Sequence, residues 1–218
     1  MSNTYSWRGG DELYLRHGVK YPVQIILIEP LFEEANRCRR LLASVMRGLA
    51  ANGIGSALPN LPGTGESLAN IHDVLFSDWH EALSAFSEMV NPVVIASLRG
   101  GALLDDGLAA NGYWRFAPET GARIVRDLKR TQLGGSDDDP QLYAGHPISD
   151  DFLNVLQMIP PIPPAPLRTV RLESDAGEAD AKIAGSPLWR RAEPGDDPEL
   201  AAALVADLTD WVTQCAAR

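Results

Sequence analysis

Apolar positions along the chain switch repeatedly between a period of two and a period near 3.6, and the order of the switches predicts the architecture. From Glu12 to Arg16, Leu13 and Leu15 alternate with polar neighbours, which predicts a half-buried edge strand. Val23 to Ile28 is a nearly continuous apolar run, the pattern of a strand buried on both faces. Between about Phe32 and Ala51, Leu41, Leu42, Val45, Met46 and Leu49 recur at helical spacing, and Asn52-Gly53 supplies a helix stop. Ile54 to Leu58 predicts a short strand, followed by turn residues from Pro59 to Ser67.

The same order continues. Phe76, Trp79, Leu83, Phe86 and Val90 form a helical stripe that Ser77 or Asp78 can cap, and Val93 to Leu98 predicts a second buried strand. That strand runs into Arg99-Gly100-Gly101-Ala102, whose glycines permit a sharp passage into a helix. Tyr113 to Ala117 predicts a further strand and Gly121 to Leu133 a helix. Gly134 to Pro140 predicts an exposed acidic loop, Ser149 a helix cap, and Pro160 to Pro166 an extended segment. Thr169 to Leu172 alternates like a strand, and Glu199 to Cys215 places Leu200, Leu204, Leu208, Trp211 and Val212 on one helical face. Repeated strand-then-helix order predicts an α/β domain over residues 1–218, with a mainly parallel sheet and helices on both faces, since crossovers are right-handed.

Charge narrows the partners. A formal net charge of −10 opposes broad attraction to nucleic-acid phosphates or anionic lipid. No apolar run approaches the roughly 20 residues of a membrane-spanning helix, and the first residues lack the apolar core of a signal peptide, so the expected location is cytoplasmic. Cys38 and Cys215 form neither a metal motif nor a disulfide framework, and His17, His72, His80 and His146 lack ligand spacing; no metal and no cofactor are expected.

The candidate chemistry lies at the strand-to-helix passage. Ala96-Ser97-Leu98-Arg99-Gly100-Gly101 resembles the nucleophile elbow of α/β-hydrolases, G-x-S-x-G. With Gly100 aligned to the second glycine, Leu98 takes the place of the serine, and leucine cannot attack a carbonyl. Ser97 is the alternative nucleophile, yet one residue earlier on an extended strand its side chain points to the other face. No histidine stands between the last predicted strand and the final helix, where the chain order serine, acid, histidine requires the base. Asp175 or Glu173 stands near the place of the triad acid, and Ser67, His72 and His146 are the other parts an unconventional active site could recruit.

Four blocks carry a more particular resemblance: Glu29-Pro-Leu-Phe-Glu-Glu-Ala-Asn-Arg-Cys-Arg-Arg40, Leu58-Pro-Asn-Leu-Pro-Gly-Thr-Gly-Glu-Ser67, Leu98-Arg-Gly-Gly-Ala102 and Tyr143-Ala-Gly-His-Pro-Ile-Ser149. In this order they resemble the second hydrolase-like protein associated with the exosortase A system, from about Gln24 to the end, with Leu188-Trp189 echoing an element before the last helix. The resemblance implies an α/β-hydrolase fold with a reduced cap and an L-R-x-G elbow. It also implies an accessory role near exopolysaccharide and protein-sorting machinery of the bacterial inner membrane. Fold alone does not establish reaction.

The remaining polar residues suggest binding. Arg99 and the backbone N–H groups of a helix starting near Gly100 could hold a carboxylate or phosphate at the sheet edge; an internal ion pair with Glu33 or Glu34 is the alternative. Glu33 and Asn36 fall where a hydrolase would place an oxyanion donor, and carboxylates there oppose an oxyanion. Arg37, Arg39 and Arg40 read as a solvated helix face, and Trp189 could line the cleft. The sequence therefore favours a non-catalytic hydrolase-like scaffold that binds a small anion or a protein partner through Leu98, Arg99, Gly100, Glu33, Asn36 and Trp189. An esterase or thioesterase with an unconventional nucleophile, and a purely structural interaction subunit, are the alternatives.

Overall fold

The computed structural model describes residues 3–133, 142–160 and 162–217. A hairpin of β1 (Thr4–Trp7) and β2 (Gly10–His17) leads into β3 (Gln24–Ile28), α1 (Glu33–Ala51) and β4 (Gly55–Pro59). Then follow α2 (Phe76–Val90), β5 (Val94–Leu98), a 3-10 turn over Arg99–Leu103, β6 (Gly112–Phe116) and α3 (Gly121–Arg130). The short β7 (Gln132–Leu133) and β8 (Leu142–Tyr143) precede α4 (Asp150–Met158), β9 (Leu167–Leu172), β10 (Ala181–Ile183) and α5 (Pro198–Ala216).

Eight strands form one sheet in the order β1-β2-β4-β3-β5-β6-β9-β10. Within this sheet, among the described residues, the pairings along the order from β4 to β10 are parallel and the β1–β2 and β2–β4 pairings are antiparallel; β7 and β8 form a separate antiparallel pair. Parallel neighbours require crossovers, and these carry the helices onto both faces. The side-chain period of two divides the core accordingly. Ile25, Leu27, Val94, Ala96 and Leu98 pack with α1 and α5, whereas Ile26, Ile28 and Ile95 pack with α2, α3 and α4. The expected α/β architecture with helices on both faces is what the chain adopts.

Several boundaries differ from the sequence expectations. The Glu12–Arg16 segment belongs to β2 but is not the sheet edge, because β1 covers it. Leu75, rather than Ser77 or Asp78, is the N-cap of α2; Asp78 sits three residues further on and accepts from the Leu75 N–H at 2.8 Å. The α3 helix stops at Arg130, where the Thr131 hydroxyl donates to the Leu128 carbonyl at 2.7 Å, and the next residues join β8. Ser149 caps α4 by accepting from the Phe152 N–H, as expected. The acidic segment Gly134–Pro140 and Pro161 lie outside the described residues.

Candidate functional site

The carboxyl ends of β3, β5, β6 and β9 converge on the edge where open parallel sheets place ligands. The central residue there is Arg99. Leu98 is the last residue of β5, extended at φ −114° and ψ 134°, and its side chain is buried against α1 and α5. Arg99 carries the turn with a φ of 53°, a left-handed conformation rare for a non-glycine residue. This corrects the register read from sequence: Arg99, not Leu98, holds the turn position of the elbow, and Gly101 is the second glycine. Gly101 is required by contact, since a Cβ there would lie 2.5 Å from the Glu29 carbonyl oxygen.

Arg99 is fully engaged. Its Nε and Nη2 donate to the two carboxylate oxygens of Glu34, both at 3.1 Å, in a fork geometry. Nη1 donates to the Ala117 carbonyl at 3.0 Å, Nη2 reaches Glu119 Oε2 at 3.4 Å, and the guanidinium lies 4.6 Å from the centre of the Trp189 ring. The ion pair expected with Glu33 or Glu34 is therefore made with Glu34, and Glu119 joins it unforeseen. An anion at Arg99 would have to displace two carboxylates. The helix expected at Gly100 is also absent: the five-residue 3-10 turn ends at Leu103, and Gly100 packs where a Cβ would meet Ile124 and Leu31. Neither Gly100 nor Leu98 lines the three cavities at this edge.

Ser97 points to the opposite face. It is fully buried, and its hydroxyl donates to Asp105 Oδ2 at 2.7 Å; Arg115 donates to the same oxygen through Nε at 2.9 Å and to Oδ1 through Nη2 at 2.6 Å. Burial pushes the Asp105 carboxyl above its usual range against the opposing pull of Arg115. Ser67 donates to Glu12 Oε1 at 2.8 Å and accepts from the Gly63 N–H, so it pins the glycine turn after β4. Among the described residues, neither serine hydrogen-bonds an imidazole.

The other two parts of an unconventional triad also lie apart. Asp175 pairs with Arg171 at 2.7 Å and accepts from the Gly177 N–H. Burial raises its pKa, but that N–H and Arg171 together hold it below the usual carboxylate value. His146 ends a two-residue hairpin turn in which Ala144 and Gly145 both have positive φ, with reciprocal backbone hydrogen bonds between Tyr143 and His146. The turn holds its Nε2 3.4 Å from Glu33 Oε1, within ion-pair distance but without hydrogen-bond geometry.

Adjoining cavities occupy this edge. One of ≈ 280 Å³ is lined by Phe32, Glu33, Glu34, Arg99, Glu119, Trp189 and Arg190 among others. A second of ≈ 200 Å³ lies over Glu29, Asn36, Arg39, Trp79 and His146. A third of ≈ 450 Å³ brings Asp175 beside Arg99 and Trp189. Of the sequence candidates, Arg99, Glu33 and Trp189 thus share one cavity, while Asn36 and His146 share another. Phe32 borders the first two with φ 56° and ψ −133°, a second strained residue at the same mouth. Its apolar side chain gave no sequence signal of that backbone. Among the described residues, no cluster of three or more metal-ligating side chains occurs.

Comparison with solved structures places the fold. The ferulic-acid-bound Est1E of Butyrivibrio proteoclasticus superposes with a TM-score of 0.64 at 13% identity, covering 97% of this chain and 99% of that one. Mouse alpha/beta hydrolase domain-containing protein 10 gives 0.65 at 11% identity, covering 98% and 99%. A thermophilic esterase from Thermogutta terrifontis gives 0.60 at 11% identity, covering 99% and 98%. These similarities show an α/β-hydrolase fold, and at such identity they show the fold alone. No family model matches the chain, and no curated protein sequence matches it.

Proposed function

We propose that this α/β-hydrolase-fold chain is non-catalytic and works by binding a small anionic ligand or a protein partner in the cleft beside Arg99. Arg99 carries the reading: it occupies the strained turn at which hydrolases of this fold present their nucleophile. A guanidinium has no lone pair to attack with and keeps its proton in proteins. Trp189 stands between β10 and the last helix, where the chain order of a triad would put histidine, and stacks on that guanidinium. The site is thus closed by ion pairing where an enzyme would leave an attacking group free. For an anion, Arg190 is the better contact, because it is exposed on the same cavity and makes no side-chain ion pair among the described residues. A role associated with exosortase or exopolysaccharide machinery rests on the resemblance of the four motif blocks. No described helix is long and apolar enough to cross a membrane, so a partner is the proposed route to it.

The test is hydrolysis of a short-chain acyl ester and thioester panel, run with Ser97→Ala and Ser67→Ala variants and a serine-reactive phosphonate. We expect neither turnover nor labelling. Turnover abolished by one serine substitution, with stoichiometric labelling of that serine, would replace this reading with an esterase.

A further inference from the structure

The ≈ 200 Å³ cavity holds two opposite charges that do not meet. Glu29 follows β3 directly, is 9% exposed, and makes no side-chain hydrogen bond or ion pair among the described residues. A buried carboxyl without a protein partner is costly and calls for an explanation. Arg39 lines the same cavity from α1, is exposed to solvent and likewise makes no ion pair among the described residues, whereas Arg40 pairs with Asp196 and Arg37 donates to the Trp189 carbonyl. Phe32 and Trp79, with ring centres 5.8 Å apart, supply apolar lining to the same cavity.

We propose that this cavity binds a small zwitterion, its ammonium group on the Glu29 carboxylate and its anionic group on Arg39. A zwitterion meets both groups at once, the buried carboxylate and the solvent-facing guanidinium at the mouth. The volume of ≈ 200 Å³ leaves room for a small organic molecule. Asn36, which donates and accepts, adds a contact of either polarity at the rim. The other titratable group facing Glu29 is His146, from the β8–α4 connection, and Glu33 lies 3.4 Å from its Nε2. Burial holds the Glu29 pKa at about 7 despite Arg39, so ammonium binding near neutral pH releases a fraction of a proton. The inference is independent of whether the Arg99 cleft is catalytic, because it concerns a different cavity and a binding readout.

Calorimetry and backbone NMR titration with glycine, 4-aminobutyrate and 6-aminohexanoate test it, with butyrate and butylamine as single-charge controls. At least one zwitterion should saturate at or below millimolar concentration, shift the amides of Gly63, Gly65 and His146, and bind at least about tenfold tighter than either control. Glu29→Gln and Arg39→Gln should each weaken it about tenfold or more, while both variants keep a single cooperative thermal melt. Heats in buffers of different ionisation enthalpy should report proton release that Glu29→Gln abolishes. The proposal is overturned if no zwitterion saturates by about 10 mM, if the controls bind equally, or if either variant leaves affinity unchanged.

Discussion

Arg99 holds an unfavourable backbone conformation, which typically costs about 1–3 kcal/mol, and its side chain ties together the ends of β5 and β6 and the start of α1. Replacing it by methionine would keep the stem, strand the partly buried Glu34 and leave the largely buried Glu119 with Arg123 alone. Urea denaturation of Arg99→Met should show a loss of about 2–4 kcal/mol, and Glu34→Gln in the same background should recover part of it. Additive losses would mean that the two side chains are not coupled. At Ser97 the expected losses are of another kind. Ser97→Ala removes a hydrogen bond to a charged acceptor and should cost about 1.5–3 kcal/mol, while Asp105→Asn, which unpairs the buried Arg115, should cost about 3–5 kcal/mol. A neutral Ser97→Ala, by contrast, would mean that its hydroxyl bond contributes nothing. The tandem glycines explain why the elbow was misread by one residue. Either Gly100 or Gly101 fits the motif spacing, and only the backbone φ of Arg99 and the contact of Gly101 with the β3 carbonyls decide between them. Neither quantity is written in residue type.

At the scale of elements, legibility followed burial. β3, β5 and β6 are buried along their whole length, and the helices carry long apolar stripes, so their periods stood out. β1 and β10 are edge strands of four and three residues, too short to establish a period. The cap of α5 was also unread: Asp197 accepts from the Leu200 N–H through Oδ1 and from the Ser186 N–H through Oδ2, both at 3.0 Å. One carboxylate thus fixes both the start of the helix and the loop after β10. Burial raises the Asp197 pKa, but those N–H donors outweigh it and hold the group below its usual value. Asp197→Ala should lower stability by about 1–2 kcal/mol at neutral pH, read from the shift in urea midpoint. The deficit should shrink as acid protonates the wild-type group, whose stabilisation is present above the ordinary aspartate pKa and lost as pH falls through its lowered one. A deficit that persisted unchanged into acid would show that the carboxylate charge has no part in the cap.

For the whole molecule, carboxylates perturbed in opposite directions should place the stability optimum in mildly acidic solution. Asp207 is raised by burial but held down more strongly by Arg168 and Trp114, and with Asp175 and Asp197 it is lowered overall. Stability from these groups is full above the ordinary aspartate value and disappears as pH falls through their folded values. Glu29 works the other way. Burial lifts it from 4.5 to about 7, so the folded state favours its protonated form. Its contribution is present in full below the ordinary glutamate value and is lost as pH rises toward and through 7. At about 1.4 kcal/mol per unit, that rise corresponds to about 3 kcal/mol of stability surrendered between roughly pH 5 and pH 8. Glu12 and Asp105, also raised by burial, add slope of the same sign. Urea unfolding of the wild type and Glu29→Gln across that interval separates the contributions. The variant, uncharged and isosteric, should lose much less stability than the wild type as pH rises and should be the more stable of the two at pH 8. Parallel curves would show that Glu29 titrates alike in the folded and unfolded chain, and that the cavity around it is open to water.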